Sequence, residues 1–157
     1  MTDAAILSNI SAGGIGCEPG DSELRAQLAC LDLVNASLRL IDEGKATRAR
    51  ALFVEEGEHT LNGAVFAGPA LTEFFEARQS MADRRTRHCV SNTVFRLVSS
   101  DRAEVTSICV VYLLSLENDH ERRIPRGVVD FKDSFVRQTN GRWLFTRREA
   151  TIVAGER

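Results

Sequence analysis

The sequence predicts an α+β fold, and three observations lead there. Helical periodicity is confined to the first half of the chain. Strand-like text fills the second half. The turn signals between those strands are the tight ones that join antiparallel neighbours. A chain of 157 residues is expected to form one domain with room for a real core. Residues 1–20, rich in serine and glycine, read as a flexible arm, and 21–157 as the domain.

The first helix follows Asp21 and Ser22, both good N-cap residues. Leu24, Leu28, Leu31, Val34, Leu38 and Ile41 then recur at three- and four-residue steps, one stripe of an amphipathic helix that Gly44 ends. Asp42 lies beside that stripe at the C-terminal end, where a carboxylate opposes the helix dipole. Two readings fit it: a group held there for a pocket, or a cap for a second short helix over 46–53. Segments 58–62 and 64–67 read as short strands joined by the Asn62-Gly63 turn. Pro69 opens a third helix, whose stripe contains Leu71, Phe74, Phe75, Arg78 and Met81. Phe74 and Phe75 suit the core, and in a small domain they can also touch a ligand.

Four strands follow, at 86–99, 103–117, 127–138 and 142–153, with Asp101-Arg102 and Asn140-Gly141 marking hairpin turns. Segment 118–123 reads as a polar loop with His120 exposed. The strand over 103–117 is apolar on both faces, Cys109, Val111 and Leu113 on one, Val110, Tyr112 and Leu114 on the other. That places it centrally, covered on both sides. Three helices against a long curved sheet leave a cavity between the layers, where a ligand would sit.

The first long strand, Arg85 to Val98, carries a histidine in a strand-like setting near mid-chain. With a period of two, His88, Val90, Asn92 and Val94 share one face, and Cys89, Ser91, Thr93, Phe95 and Leu97 the other. That face reads as the wall of a half-apolar pocket, or as a structural histidine beside an exposed asparagine. Histidine titrates near neutral pH, about 6.5 when unperturbed, and a carboxylate partner would fix its tautomer.

Composition excludes several classes. A net charge of −2 and a pI near 5.9, with short basic clusters broken by acids, do not point to nucleic acid. No apolar run approaches the ~20 residues of a membrane helix, and the N-terminus lacks signal-peptide character, so a cytoplasmic protein is expected. Cys17, Cys30, Cys89 and Cys109 have no metal-ligand spacing; the last three read as buried thiols. No metal or cofactor is expected.

Several stretches stand in a telling order: Leu40-Ile41-Asp42-Glu43-Gly44, Ala51-Leu52-Phe53, Phe66-Ala67-Gly68 and Arg87-His88-Cys89-Val90-Ser91-Asn92. Asp133-Ser134-Phe135-Val136-Arg137 and Asn140-Gly141-Arg142-Trp143, with Arg147-Arg148, complete the set. In that order they resemble the SnoaL-like branch of the nuclear transport factor 2-like superfamily, and the resemblance covers about 22–153. It implies a cone-shaped half-barrel with a mainly antiparallel sheet, a homodimer through the outer sheet face, and a deep apolar pocket for an apolar polycyclic or polyketide-like substrate. The family includes polyketide cyclases, ketosteroid-isomerase-like enzymes, scytalone-dehydratase-like and bile-acid-dehydratase-like lyases, and a dehydrochlorinase. Several of the lyases use an aspartate at the end of the first helix with a histidine on the first long strand, and Asp42 and His88 fall there. The implied pocket wall comprises Leu38, Phe53, Phe74, Val90, Asn92, Val111 and Leu113.

The chain departs from the dehydratase pattern. Ser37 and Ile41 stand where tyrosines are common, and the region Val111 to Leu113 lacks a second histidine. The expected chemistry is the simpler one: His88, oriented by Asp42, removes a proton next to a carbonyl, and Asn92 donates to the enolate oxygen. Isomerisation, dehydration or cyclisation would follow. A second resemblance, over Arg85 to Asn92 and Ser107 to Tyr112, is to the non-catalytic β subunits of aromatic-ring-hydroxylating dioxygenases, where both residues would be architectural. A silent ligand-binding or dimerising domain is the third alternative.

Overall fold

The computed structural model describes residues 20–117 and 120–155, with side chains outside 115–125. The expected N-terminal arm therefore lies outside the described residues, except for Gly20. The elements are α1 (Asp21–Asp42), a 3-10 helix (Ala46–Leu52), β1 (Phe53–Leu61), β2 (Ala64–Ala67), α2 (Pro69–Ser80), β3 (Arg85–Ser99), β4 (Arg102–Glu117), β5 (His120–Arg137) and β6 (Trp143–Gly155). They form one curved six-stranded sheet in the order β2-β1-β6-β5-β4-β3, with the helices packed on it. Every pairing is antiparallel except β1 with β6. The fold is α+β, as the order of helices and strands predicts.

α1 buries Ala26, Cys30, Val34, Ser37 and Leu38. The predicted stripe holds from Val34 onward, whereas Leu24 and Leu28 are exposed. Small residues at 26 and 30 bring this half of the helix close to its neighbours. The close face is thus not the one with the largest side chains. The helix begins at Asp21, with Gly20 as its N-cap, so neither Asp21 nor Ser22 caps it. Rings of Phe53, Phe75, Phe135 and Phe145 meet between the layers, with centroids 4.7–5.9 Å apart. Offset and tilted contacts at that spacing are favourable beyond the area they bury.

Several register shifts interrupt the ladders, and two of them bear on the site. In β3, Ser91 pairs with Ile108 and Val94 with Thr106, so Asn92 and Thr93 oppose one residue, and Asn92 takes a φ of 49°. The extra residue inverts the alternation beyond it. Phe95 and Leu97 consequently pack on the core alongside Val90, although a strict period of two sets them on opposite faces. In β5 the pairing of Val111 with Gly127 and of Tyr112 with Pro125 leaves Arg126 as the extra residue. Beyond this point Leu114, not Leu113, is buried.

Other expectations need correction. Residues 120–123 continue β5 instead of forming a loop, and the side chain of His120 lies outside the described residues. Cys89 is exposed, because it points away from the helices, while Cys30 and Cys109 are buried. β4 is internal to the sheet, but from Ala103 to Cys109 only the face bearing Ala103, Val105, Ser107 and Cys109 is buried, and Leu114 is the one buried residue of the other face among those whose side chains are described. Ile108, Val110 and Tyr112 remain partly exposed.

Candidate active site

Between α1, α2 and the concave face of the sheet lies a cavity of about 360 Å³. That is near the lower end of the ~300–1,000 Å³ usual for small-molecule sites. Leu38 and Ile41 from α1, Phe53 and Leu61 from β1, and Val111, Val129, Phe131 and Ile152 from later strands make its apolar wall. The polar groups on it are Ser37, His59, Thr86, His88 and the arginines 78, 84, 126 and 148.

His88 projects from β3 onto this cavity and is held from behind by Asp42. Asp42 is the last residue of α1, where its carboxylate leaves the helix and meets β3. His88 Nδ1 lies 2.6 Å from Asp42 Oδ1, and the His88 backbone N–H donates to Oδ2 at 2.9 Å. The Thr86 hydroxyl donates to Oδ1 at 3.0 Å, and itself accepts from Arg78 at 3.0 Å. Arg87 donates to the Asp42 carbonyl at 3.2 Å and so ties the helix end to the strand. Burial alone would raise the pKa of Asp42, but the bonds from His88 and Thr86 outweigh it and hold the carboxyl below its ordinary value. An ionised carboxylate only accepts, so His88 carries its proton on Nδ1 in the neutral ring and Nε2 keeps the lone pair. Asp42 does not cap the 3-10 helix, which has no side-chain cap.

A second imidazole shares the cavity. His59 on β1 is buried, and its Nδ1 sits 3.1 Å from the Arg148 carbonyl. A carbonyl only accepts, so Nδ1 bears the proton here too. Burial, reinforced by the Arg148 charge, pushes the pKa of His59 down to about 4 and keeps it neutral near pH 7. Phe74 meets it edge-on at 4.8 Å. Sequence reasoning passed over His59, although its alternation with Leu61 was a signal that both point inward. Deeper still, Arg148 makes a two-pronged pair with Asp133, 2.8 Å on each prong, donates to Ser37, and lies 4.5 Å from the Phe145 ring centre. Burial raises the pKa of Asp133, and the guanidinium opposes that without cancelling it.

Of the residues singled out from the sequence, His88, Leu38, Phe53, Phe74 and Val111 line the cavity, with Asp42 directly behind His88. Three do not line it. Asn92 is exposed at the β3 bulge, Val90 packs into the core, and Leu113, partly buried further along β4, is not among the lining residues. Among the described residues no cluster of acidic, histidine and cysteine side chains could hold a metal, and no helix is long and apolar enough to cross a membrane.

A curved sheet closed by helices over a cavity with a carboxylate–imidazole pair defines a small α+β protein of the cystatin-like type, the fold of the nuclear transport factor 2-like proteins. Residues 22–149 match the model of the SnoaL-like domain, and the chain belongs to that family. No curated protein matches the sequence. Among solved structures, a candidate scytalone dehydratase from Novosphingobium aromaticivorans is 22% identical over 87% of this chain and 89% of its own, with a TM-score of 0.72. ActVI-ORFA from Streptomyces coelicolor is 19% identical over 82% and 98%, with a TM-score of 0.70. A hexachlorocyclohexane dehydrochlorinase, LinA-type3 from Novosphingobium barchaimii, is 16% identical over 85% and 90%, with a TM-score of 0.69. At these identities the likeness is one of fold.

Proposed function

We propose that this protein is a cofactor-independent acid–base enzyme acting on an apolar small molecule with a carbonyl group. The observation that carries this reading is the 2.6 Å contact between Asp42 and His88 beside an open, mostly apolar cavity. Nε2 of His88 takes a proton from the carbon next to the carbonyl. The C–H bond breaks, an N–H bond forms, and the electron pair moves onto the carbonyl oxygen as an enolate. Asp42 faces the resulting imidazolium and offsets its charge. Returning the proton to another carbon isomerises the substrate. Alternatively, the β C–O bond breaks as the hydroxyl takes the His88 proton and leaves as water, which dehydrates the substrate; or the enolate carbon bonds to an internal carbonyl carbon whose oxygen takes that proton, which cyclises it. Asn92 takes no part, since it stands outside the cavity. Buried neutral His59, with a lone pair on Nε2, is suited to accept a hydrogen bond from a substrate hydroxyl. A purely architectural β subunit would need no cavity beside His88, which favours the enzyme reading.

Exchange of the α-protons of 2-tetralone in D₂O, followed by NMR, tests the proposal. The protein should accelerate exchange, and His88→Ala should lose roughly 10²–10⁴-fold, the usual worth of one positioned base. Equal exchange by the native protein and the variant would refute it.

A further inference from the structure

Three guanidinium groups that the proton-transfer chemistry does not use meet on one part of the cavity wall. Arg78 comes from the last turn of α2, Arg84 from the link into β3, and Arg126 from β5. Each is placed by a specific local device. Arg78 donates to the Arg84 carbonyl at 3.1 Å and to Thr86 at 3.0 Å, so it is locked to the strand that carries His88. Arg84 rests on the Met81 sulfur at 3.8 Å. Arg126 is the extra residue of the β5 bulge. The bulge lets both Arg126 and its neighbour Gly127 line the cavity, which a regular strand would forbid. Gly127 is needed there, since a Cβ would stand 2.5 Å from the Ala154 carbonyl oxygen.

The charges in the rest of the site are already matched. Arg148 is paired with Asp133, and Asp42, hydrogen-bonded by Thr86 and His88, is the one further carboxylate near the group, acting on Arg78 through Thr86 and leaving the three guanidiniums in excess. Among the described residues neither Arg78 nor Arg84 has a carboxylate within ion-pair distance. Like charges held together in a partly dry wall are costly, and an anion placed among them relieves that cost. The cost is visible in the direction of the pKa shifts. Burial and then the Arg84 charge lower that of Arg78, with Asp42 opposing them in part; burial and then the Arg126 charge lower that of Arg84. A guanidinium also matches a carboxylate in shape, with two parallel donors.

We infer that Arg78 and Arg84, with Arg126 beside them on the cavity wall, form an anion subsite and that the substrate is an apolar molecule bearing a carboxylate. The inference rests on the cavity being the substrate site. The acid group would anchor one end of the molecule at the arginines and present its carbonyl end to His88. The short relay from Arg78 through Thr86 to Asp42 then links the anchor to the base.

The test compares 2-naphthoate with 2-naphthamide, alike in shape and differing in charge, by calorimetric titration at pH 7. The native protein should prefer the acid by roughly 10–100-fold, the scale of a charge-assisted hydrogen bond. Arg84→Gln, at an exposed position, should remove most of that preference, Arg78→Gln should do the same, and amide binding should be little changed by either. Equal affinity for the two probes, or no binding of the acid up to millimolar concentration, would overturn the inference. A preference that survives both substitutions would overturn it as well. His88→Ala separates this from the proton-transfer proposal. Acid preference with no His88-dependent exchange leaves the anion subsite standing and removes the base. His88-dependent exchange with no acid preference does the reverse.

Discussion

Two aspartates in this protein hold two cationic or potentially cationic partners, and the pairs behave in opposite ways. Asp42 and His88 have side chains 11% and 12% exposed and stand at the cavity wall. Asp133 and Arg148 are 0% and 5% exposed, with Arg148 in the cavity floor and Asp133 behind it. The first carboxyl is held below its ordinary pKa and the second is pushed above it. The difference is water. At Asp42 the donors Thr86 and His88 outweigh partial desolvation, whereas at Asp133 desolvation is complete and even a two-pronged arginine does not cancel it. A pair at the rim can gain and lose a proton during a reaction. A pair in the floor is structural, and its work is to hold Ser37 on α1, Asp133 on β5 and Arg148 on β6 in one place.

The largest effect should come from breaking the floor pair. Arg148→Met would leave Asp133 buried without a partner and cost about 3–5 kcal/mol of stability. Adding Asp133→Leu to that variant should restore most of the loss in urea denaturation. If the single variant is as stable as the native protein, the contrast between the pairs is wrong.

Next is acid sensitivity, which should belong to neither pair. His59 titrates near 6.5 when unfolded and at about 4 when folded. The unfolded chain therefore binds more protons across that window. Stability should fall as the pH drops from about 6.5 toward 4, by up to about 3 kcal/mol. Asp42, whose folded pKa is depressed, contributes stability that is present above its unfolded value and is lost only as pH falls through the lower folded one. His59→Leu should flatten the slope between pH 6.5 and 4.5, and Asp42→Asn should leave it intact. An unchanged slope in the His59 variant would reassign the sensitivity.

Asp42→Asn should cost about 1–3 kcal/mol in thermal or urea unfolding, since His88 and Thr86 lose a charged acceptor. Its effect on 2-tetralone exchange should be large by comparison, which marks the rim pair as the working one. Smallest is Thr86→Val, about 1 kcal/mol in unfolding for a hydroxyl bridging Arg78 and Asp42. A loss of several kcal/mol there would mean that the rim carries as much of the fold's stability as the floor.

Much of this architecture was legible beforehand. Local periodicity and turn chemistry report on neighbours along the chain, and they gave the helices, the meander and its hairpins. The position of Asp42 at a helix end, against the dipole, and of His88 on an apolar strand face marked both residues. Asn92 was misplaced because a bulge costs one residue of register and leaves no mark in a period-two reading. Arg126 gained its place on the cavity wall by the same kind of bulge. His59 was passed over because Glu55, Glu56 and Glu58 around it make β1 look like a solvent-facing edge.

By itself, then, the sequence determined the element order, the α+β class and two polar residues for one site. Those depend on contacts within a few residues. Only the tertiary structure decided that Asp42 meets His88 across 46 positions, that Arg148 reaches Ser37 across 111, and that three arginines share one wall. Such meetings depend on sheet curvature and on the register of strands far apart in the chain, which is information that local periodicity does not carry.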